Sequence, residues 1–96
     1  MTVDVRSVHF DLAAASREYL DKKLERIEYA KDMIVDLIFV LTKEKDFKAE
    51  ATVNFRWGTN AHVEEHDYSL DAGIDKLIDR LEQKIAKEKD RVQERK

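Results

Sequence analysis

The sequence predicts an α+β domain with the element order β-α-β-β-β-α, a four-stranded sheet with two helices packed on one face. Two observations lead to this fold class. Residues 49–57 alternate between apolar and polar side chains, which is the period of a half-buried strand. Residues 69–92, projected on a helix at roughly 100° per residue, place their apolar side chains on one stripe.

The first half of the chain predicts a strand, a helix and a second strand. Apolar and polar residues alternate at 2–8, which indicates the first strand. A helix is expected from about Leu12 to Ala30, with Asp11 as its N-cap, because leucine and isoleucine recur there at i, i+4 and i+7. The β-branched and aromatic run at 33–42 predicts a long central strand.

The second half predicts an antiparallel meander followed by a long helix. A hairpin turn is expected at Gly58-Thr59, where glycine can adopt a positive φ, and a fourth strand then ends near His66. Ser69 is expected to cap the final helix, whose apolar stripe reaches Val92. The predicted core consists of Leu20, Leu24, Ile27, Val53, Phe55, Leu77, Leu81 and Ile85.

The final helix separates its charged residues by sign. Its basic stripe consists of Lys76, Arg80, Lys84, Lys87 and Arg91, and its acidic stripe of Asp71, Asp75, Asp79 and Glu82. Like charges at i, i+4 cost a helix about 0.2–0.5 kcal/mol per pair, so the basic ladder favours an anionic partner. A merely solvated charged face is the alternative. The first helix repeats the separation less cleanly, with Lys23 and Arg26 on a basic flank and Arg17 on the acidic one.

Composition narrows the function classes. The 96 residues are 41% charged with a net charge of −3, which argues against a general nucleic-acid coat and against DNA, and leaves anion binding to a local patch. Cysteine is absent, and the longest apolar run, Leu37–Leu41, is too short to cross a membrane. We therefore expect a single cytoplasmic domain at 1–96 with a frayed tail at about 93–96 and no membrane contact.

One segment matches a catalytic pattern. His62-Val63-Glu64-Glu65-His66 has the spacing of inverted zinc peptidases, which need both histidines on one helical turn. In a strand the two histidines lie roughly 13 Å apart and cannot share a zinc ion. With no cysteine, glycine-rich phosphate loop or nucleophile triad, the sequence predicts no enzyme, no metal and no cofactor. Trp57 is left open between a core residue and a base-stacking platform.

The chain resembles the ribosome hibernation promoting factors, also called ribosome-associated inhibitors. The likeness covers essentially the whole chain, in the short form of the family. It is carried by four stretches in the family's order, namely Lys23–Glu28, Thr42–Lys45 with Lys48–Val53, the hairpin about Gly58, and Ala72–Leu81.

The resemblance implies a fold like a double-stranded-RNA-binding domain and a bacterial-type stress-response regulator of translation. Such a protein binds the small ribosomal subunit in its tRNA and mRNA channel, contacts rRNA and ribosomal proteins, keeps idle ribosomes inactive and is a monomer off the ribosome. Gln83 stands where the family has Arg and Asp71 where it has Tyr. The family's phosphate contacts carry over to Arg17, Lys23, Arg26, Arg80 and Lys87.

Together with the basic stripe, this gives a predicted RNA-binding set of Arg17, Lys23, Arg26, Lys76, Arg80, Lys84, Lys87 and Arg91. Basic side chains on a fixed scaffold can bind phosphates without reading base sequence. We expect the basic flanks of the two helices to form one positive groove, with the acidic flanks facing away. The alternative is a protein-interaction regulator, similar to a sigma-factor modulator, that binds a protein through its acidic helix faces.

Overall fold

A computed structural model describes residues 1–94 of the chain, and the side chains of residues 1–92. The predicted order of elements is present. The elements are β1 (Thr2–Val8), α1 (Ala14–Lys23), a 3₁₀ helix (Leu24–Met33), β2 (Ile34–Lys43), β3 (Phe47–Phe55), β4 (Asn60–Asp67) and α2 (Leu70–Glu94). The expected frayed tail lies partly within α2, and residues 95–96 lie outside the described part.

The four strands form one mixed sheet in the order β1-β2-β3-β4. β1 runs parallel to β2, because α1 and the 3₁₀ helix form the crossover that a parallel pair requires. β2, β3 and β4 form the predicted antiparallel meander. In the β3–β4 pair Glu50 lies opposite Glu64 and Thr52 opposite His62, on the sheet face away from the core.

Both helices pack on one face of this sheet, as predicted, and all eight predicted core residues are buried. The α2 stripe extends the core with Ile74 and Ile78, which have no exposed surface. Val92 is an exception, since it is 38% exposed. The 25 residues of α2 span about 37 Å at 1.5 Å per residue, longer than the 7- to 10-residue strands beneath them, so its last turn projects beyond the sheet.

The helix predicted over Leu12–Ala30 is shorter, and its second half is a 3₁₀ helix. The buried residues of this second half are Leu24, Ile27 and Ala30, which recur every three residues. A 3₁₀ helix has three residues per turn and therefore aligns all of them on the core side. The prediction of Asp11 as N-cap is wrong, because α1 begins after Ala13, which makes no side-chain cap.

Ser69 caps α2 as predicted, since its Oγ accepts a hydrogen bond of 3.3 Å from the amide of Ala72. The hairpin differs from the prediction. The amide of Phe55 donates to the carbonyl of Thr59 at 2.9 Å, and that of Gly58 donates to Phe55 at 3.1 Å. Gly58 has φ +92°, so the loop is the three-residue type with glycine in the left-handed region. Trp57 consequently lies in the loop and not in β3.

Candidate nucleic-acid interface

The basic stripe of α2 lies along the β4 side of the helix. At its N-terminal end Lys76 pairs with Asp67 at 2.9 Å, and Arg80 pairs with Glu65 at 3.3 Å. Lys76 is the main cause of the lowered pKa of Asp67. These pairs are solvent-exposed, with about half of each basic side chain accessible. Such pairs are weak and exchange readily for another anion.

The middle of the stripe is different because its lysines are unpaired. Lys84 and Lys87 make no ion pair with any side chain within residues 1–92. Both line a groove of about 470 Å³ beside Asn60 and Ala61 at the start of β4. On their other side they line a smaller depression with Arg80 and Gln83. Lys84 and Lys87 are therefore the members of the basic stripe without an ion pair among residues 1–92, in a groove that Glu88 and Asp90 also line.

Glu88 connects this groove to the hairpin loop. Its Oε1 accepts hydrogen bonds from Trp57 Nε1 at 2.8 Å, Thr59 Oγ1 at 2.8 Å and Arg91 Nη2 at 2.6 Å. Burial acts to raise the pKa of Glu88, but the hydrogen bonds from Trp57, Thr59 and Arg91 outweigh it and hold this pKa below its usual value. The carboxylate fixes the Arg91 guanidinium at the edge of the groove, so Arg91 is positioned but partly neutralised.

The acidic stripe of α2 faces α1, which corrects the expectation that it faces away. Asp75 accepts a hydrogen bond from the Tyr19 hydroxyl at 2.6 Å and pairs with Lys23 at 3.2 Å. Arg26 pairs with Asp79 at 2.8 Å and with Glu82 at 2.6 Å. The hydrogen bond from Tyr19, together with Lys23, holds the pKa of Asp75 below its usual value.

The predicted RNA-binding residues therefore fall into separate regions and do not form one positive groove. Lys76, Arg80, Lys84, Lys87 and Arg91 share the β4 side of α2. Lys23 and Arg26 lie in the seam between the helices, and Arg17 pairs with Asp21 one turn along α1 at 3.2 Å. The sequence showed which residues share a stripe, whereas the packing of α1 determines which stripe of α2 it faces.

The outer face of the sheet holds a cluster of titratable side chains. Glu50, His62 and Glu64 place ligand atoms within 4.8 Å of one another, a set that could hold a metal ion. The Lys48 ammonium lies 3.8 Å from Glu50 and 3.9 Å from Glu64, so it offsets one of the two negative charges of this pair of carboxylates. Sequence reasoning missed this cluster because it depends on the hairpin register. The register that sets Glu50 opposite Glu64 follows from the three-residue loop, which the sequence alone did not fix.

His62 and His66 lie on a strand, as predicted, and their nearest partners differ. His62 Nδ1 lies 2.9 Å from Thr52 Oγ1. His66 Nε2 lies 3.1 Å from Glu64, and its Nδ1 lies 3.4 Å from Asp46. These hydrogen bonds, that to Glu64 most of all, raise the pKa of His66 above its usual 6.5.

The fold is shared with two solved structures. The N-terminal domain of Thermus thermophilus Protein Y is 31% identical and matches with a TM-score of 0.77, over 88% of this chain and 96% of that one. A ribosomal subunit interface protein from Coxiella burnetii is 24% identical, with a TM-score of 0.85 over 93% of this chain and 98% of that one, which is a likeness of fold. The predicted fold class is confirmed.

The chain belongs to the family described as Sigma 54 modulation protein / S30EA ribosomal protein, whose model matches residues 3–93. A relative from Azotobacter vinelandii, named ribosome hibernation promoting factor, is 31% identical over 96 residues, 99% of this chain and 89% of that protein. One of the same name from Escherichia coli K12 is 27% identical over 95 residues, 98% of this chain and 99% of that protein.

The resemblance drawn from the sequence is therefore confirmed. The prediction that the chain is not an enzyme is confirmed as well, because the family consists of non-enzymatic, ribosome-associated regulators of translation. Neither helix within residues 1–94 combines the length and apolar character needed to cross a bilayer.

Proposed function

We propose that this chain is a ribosome hibernation factor that binds the small ribosomal subunit in its tRNA and mRNA channel and keeps idle ribosomes inactive. The observation that carries the proposal is the pair Lys84 and Lys87, which project from a fixed helix without an acidic partner within residues 1–92. Lysines held in this way attract backbone phosphates regardless of base sequence. The proposal places the protein in the cytoplasm, as a monomer off the ribosome, with rRNA and ribosomal proteins as partners.

The predicted contact residues are expected to contribute unequally. Lys84 and Lys87 bind phosphate at no internal cost, whereas Lys76 and Arg80 must exchange exposed partners on β4. Lys23 and Arg26 must leave Asp75 and Asp79, and the separation of those pairs opens the seam between the helices. Arg17 and Arg91 each have an acidic neighbour on their own helix. The centre of the interface is therefore α2 from Arg80 to Arg91.

Co-sedimentation with purified small ribosomal subunits tests the proposal. The wild-type chain is expected to pellet with the subunits at low salt and to be released as salt rises, because phosphate binding releases counterions. The variant Lys84→Glu/Lys87→Glu is expected to stay in the supernatant at a salt concentration at which the wild type still pellets. Unchanged thermal unfolding of the variant would show that its fold is intact.

The matched control is Lys31→Glu/Lys45→Glu, which makes the same change in net charge at two exposed positions away from the basic stripe. It is expected to pellet almost as the wild type does. Equal losses for both variants would mean that overall charge governs binding and would contradict an interface on α2. Failure of the wild type to pellet at low salt would contradict the function itself.

The alternative, a protein partner bound through the acidic helix faces, has less support from the geometry. Asp75 already contacts α1, and Asp79 and Glu82 contact the 3₁₀ helix, which leaves mainly Glu18 of α1 and Glu25 of the 3₁₀ helix exposed for such a partner. Binding of this kind would survive Lys84→Glu/Lys87→Glu and fail for Glu18→Lys/Glu25→Lys. The two functions are thus distinguished experimentally, because each predicts that binding is lost in one of these two double variants and retained in the other.

A further inference from the structure

Trp57 presents an indole face to solvent at the tip of the β3–β4 loop. The residue is 41% exposed. One face of its ring stacks on Phe55, with ring centroids 5.4 Å apart and planes 9° from parallel, and the ring nitrogen donates to Glu88. The face that stacks on Phe55 is therefore occupied, and the rest of the ring borders an open depression. The hydrophobic core leaves this large apolar ring uncovered, although Phe55, two residues earlier, is buried.

The indole is also held in a fixed orientation. Gly58 takes the positive φ that closes the loop, and the amide of Arg56 donates to the carbonyl of Met33 at 3.0 Å. With the Glu88 hydrogen bond these contacts fix the backbone and the ring together. A ring held in this way loses little conformational freedom when a ligand covers it, which favours binding.

The surroundings of the ring combine an apolar floor with flanking positive charge. Met33, Val92 and Lys89 join Trp57 around a depression of about 240 Å³. Glu88, which accepts the indole N–H, also lines the groove of Lys84, Lys87 and Arg91. The ring thus lies between Lys89 and the cations of the groove. An apolar peptide would gain nothing from these charges. A single RNA strand carries a phosphate on either side of each base, so its bases could contact the ring while its phosphates contact the cations.

We propose that Trp57 is a stacking platform for an unpaired base of single-stranded RNA whose phosphates follow Lys84, Lys87 and Arg91. This inference rests on the proposed function, because it extends the phosphate contacts of α2 to a contact with a base. Stacking on an aromatic ring tolerates any base, so the site would bind single-stranded RNA regardless of its base sequence. A duplex, whose bases are stacked on one another, would not satisfy it.

Trp57 is the sole tryptophan of the sequence, so its emission reports directly on the site. The chain is titrated at low salt with a short oligouridylate and with an abasic ribose-phosphate oligomer of the same length. We expect the oligouridylate to quench Trp57 and to bind about 5- to 100-fold more tightly than the abasic oligomer, the range given by base–aromatic stacking. Equal affinities without quenching would overturn stacking and leave phosphate binding by α2 intact.

Variants are compared by the anisotropy of a labelled oligouridylate. Trp57→Ala is expected to weaken binding about 5- to 100-fold and Trp57→Phe less, because phenylalanine retains a ring. Tyr68→Ala is the control, since it removes another exposed aromatic side chain, 83% accessible, just before α2 and far along the helix from Lys87. Equal losses for Trp57→Ala and Tyr68→Ala would contradict a specific platform.

Two further outcomes identify other occupants of the site. A blue shift of Trp57 emission as the free chain is concentrated would indicate that a second copy covers the ring, and would overturn the proposal. Loss of subunit pelleting by Trp57→Ala with unchanged oligouridylate affinity would indicate a ribosomal protein at this position, and would overturn it too. Failure of the wild type to pellet at low salt would overturn the proposed function, whereas equal affinities for the oligouridylate and the abasic oligomer would overturn only the stacking, so the two failures are distinguishable.

Discussion

At the scale of single residues, Glu88 links the loop that carries Trp57 to the helix that carries the basic stripe. One carboxylate oxygen accepts from an indole, a hydroxyl and a guanidinium. Only 13% of the Glu88 side chain is exposed, although its bonds with Trp57 and Arg91 lie at the protein surface. Hydrogen bonds to a buried charged group are stronger than those between neutral groups, and their loss leaves donors unpaired.

Replacement of this carboxylate should loosen the hairpin. Glu88→Ala is expected to lower the free energy of unfolding by about 1–3 kcal/mol, and Glu88→Gln by less because the amide oxygen can still accept. Urea denaturation followed by circular dichroism measures the change. Glu25→Ala in the 3₁₀ helix, at an exposed glutamate, serves as the control and should be nearly neutral. Equal stability of Glu88→Ala and Glu25→Ala would show that the hydrogen bonds to Glu88 do not hold the loop.

His66 should make the outer sheet face sensitive to pH. Because Glu64 and Asp46 raise its pKa in the folded chain above the usual 6.5, the protonated form stabilises the fold. That contribution is fully present below pH 6.5 and is lost as pH rises through the higher folded pKa. The difference in Tm between the wild type and His66→Gln should therefore be larger at pH 5.5 than at pH 8.5.

Titration of the histidine ring by NMR supplies the direct check. The His66 pKa is expected above 6.5 in the wild type and closer to 6.5 in Glu64→Gln, which removes the charge of the main partner. A His66 pKa at or below 6.5 in the wild type would contradict the assignment. The charged groups near His66 are Glu64 on the same strand, Asp46 in the β2–β3 loop and Lys48 opposite it on β3, and only the two acids favour its charged form.

At the scale of elements, α2 uses its two charged stripes for different purposes. The acidic stripe docks the helix against α1 and the 3₁₀ helix through Lys23 and Arg26. The basic stripe projects over the edge of β4, where Lys84 and Lys87 lie beside the hairpin. The separation of charges seen in the sequence thus serves internal docking on one flank and leaves the other flank for an external anion.

This division predicts different consequences for two basic residues. Arg26→Ala should lower Tm, because it removes the pairs with Asp79 and Glu82, and should reduce small-subunit affinity only modestly. Lys87→Ala should leave Tm unchanged and reduce the affinity more. Thermal unfolding and sedimentation on the same preparations measure both effects. The reverse order of affinities would mean that Arg26 leaves the seam to bind RNA.

The sequence predicts each element by a local period but not the way in which neighbouring elements meet. The alternation of apolar and polar residues in β3 correctly predicts that Val53 and Phe55 are buried, because every second side chain of a strand points to the same face of the sheet. The 3₁₀ geometry after Leu24 was missed, because the same apolar residues also fit an α-helix. The three-residue loop was missed too, because glycine permits several loop lengths. Without the loop length, the sequence left the exposure of Trp57 undecided.

At the scale of the whole molecule, a net charge of −3 is compatible with the proposed RNA binding because the charges are sorted in space. Asp75 and Asp79 of α2 pair with Lys23 and Arg26 in the seam between the helices. Asp67 and Glu65 of β4 pair with the first two residues of the basic stripe, Lys76 and Arg80. Within α2 and residues 1–92, the members of the basic stripe that keep no ion pair are Lys84 and Lys87, near the hairpin. Internal pairing therefore favours the β4 side of α2, toward the hairpin, as the site of the proposed RNA contact.

The most direct test of the proposed binding mode is a cryo-electron microscopy structure of the chain bound to the small ribosomal subunit. We expect density in the tRNA and mRNA channel, with Lys84 and Lys87 of α2 against rRNA phosphates and with the Arg26–Asp79 pair intact. Density outside the channel, or an orientation in which the α1 side faces rRNA while Lys84 and Lys87 face solvent, would contradict it.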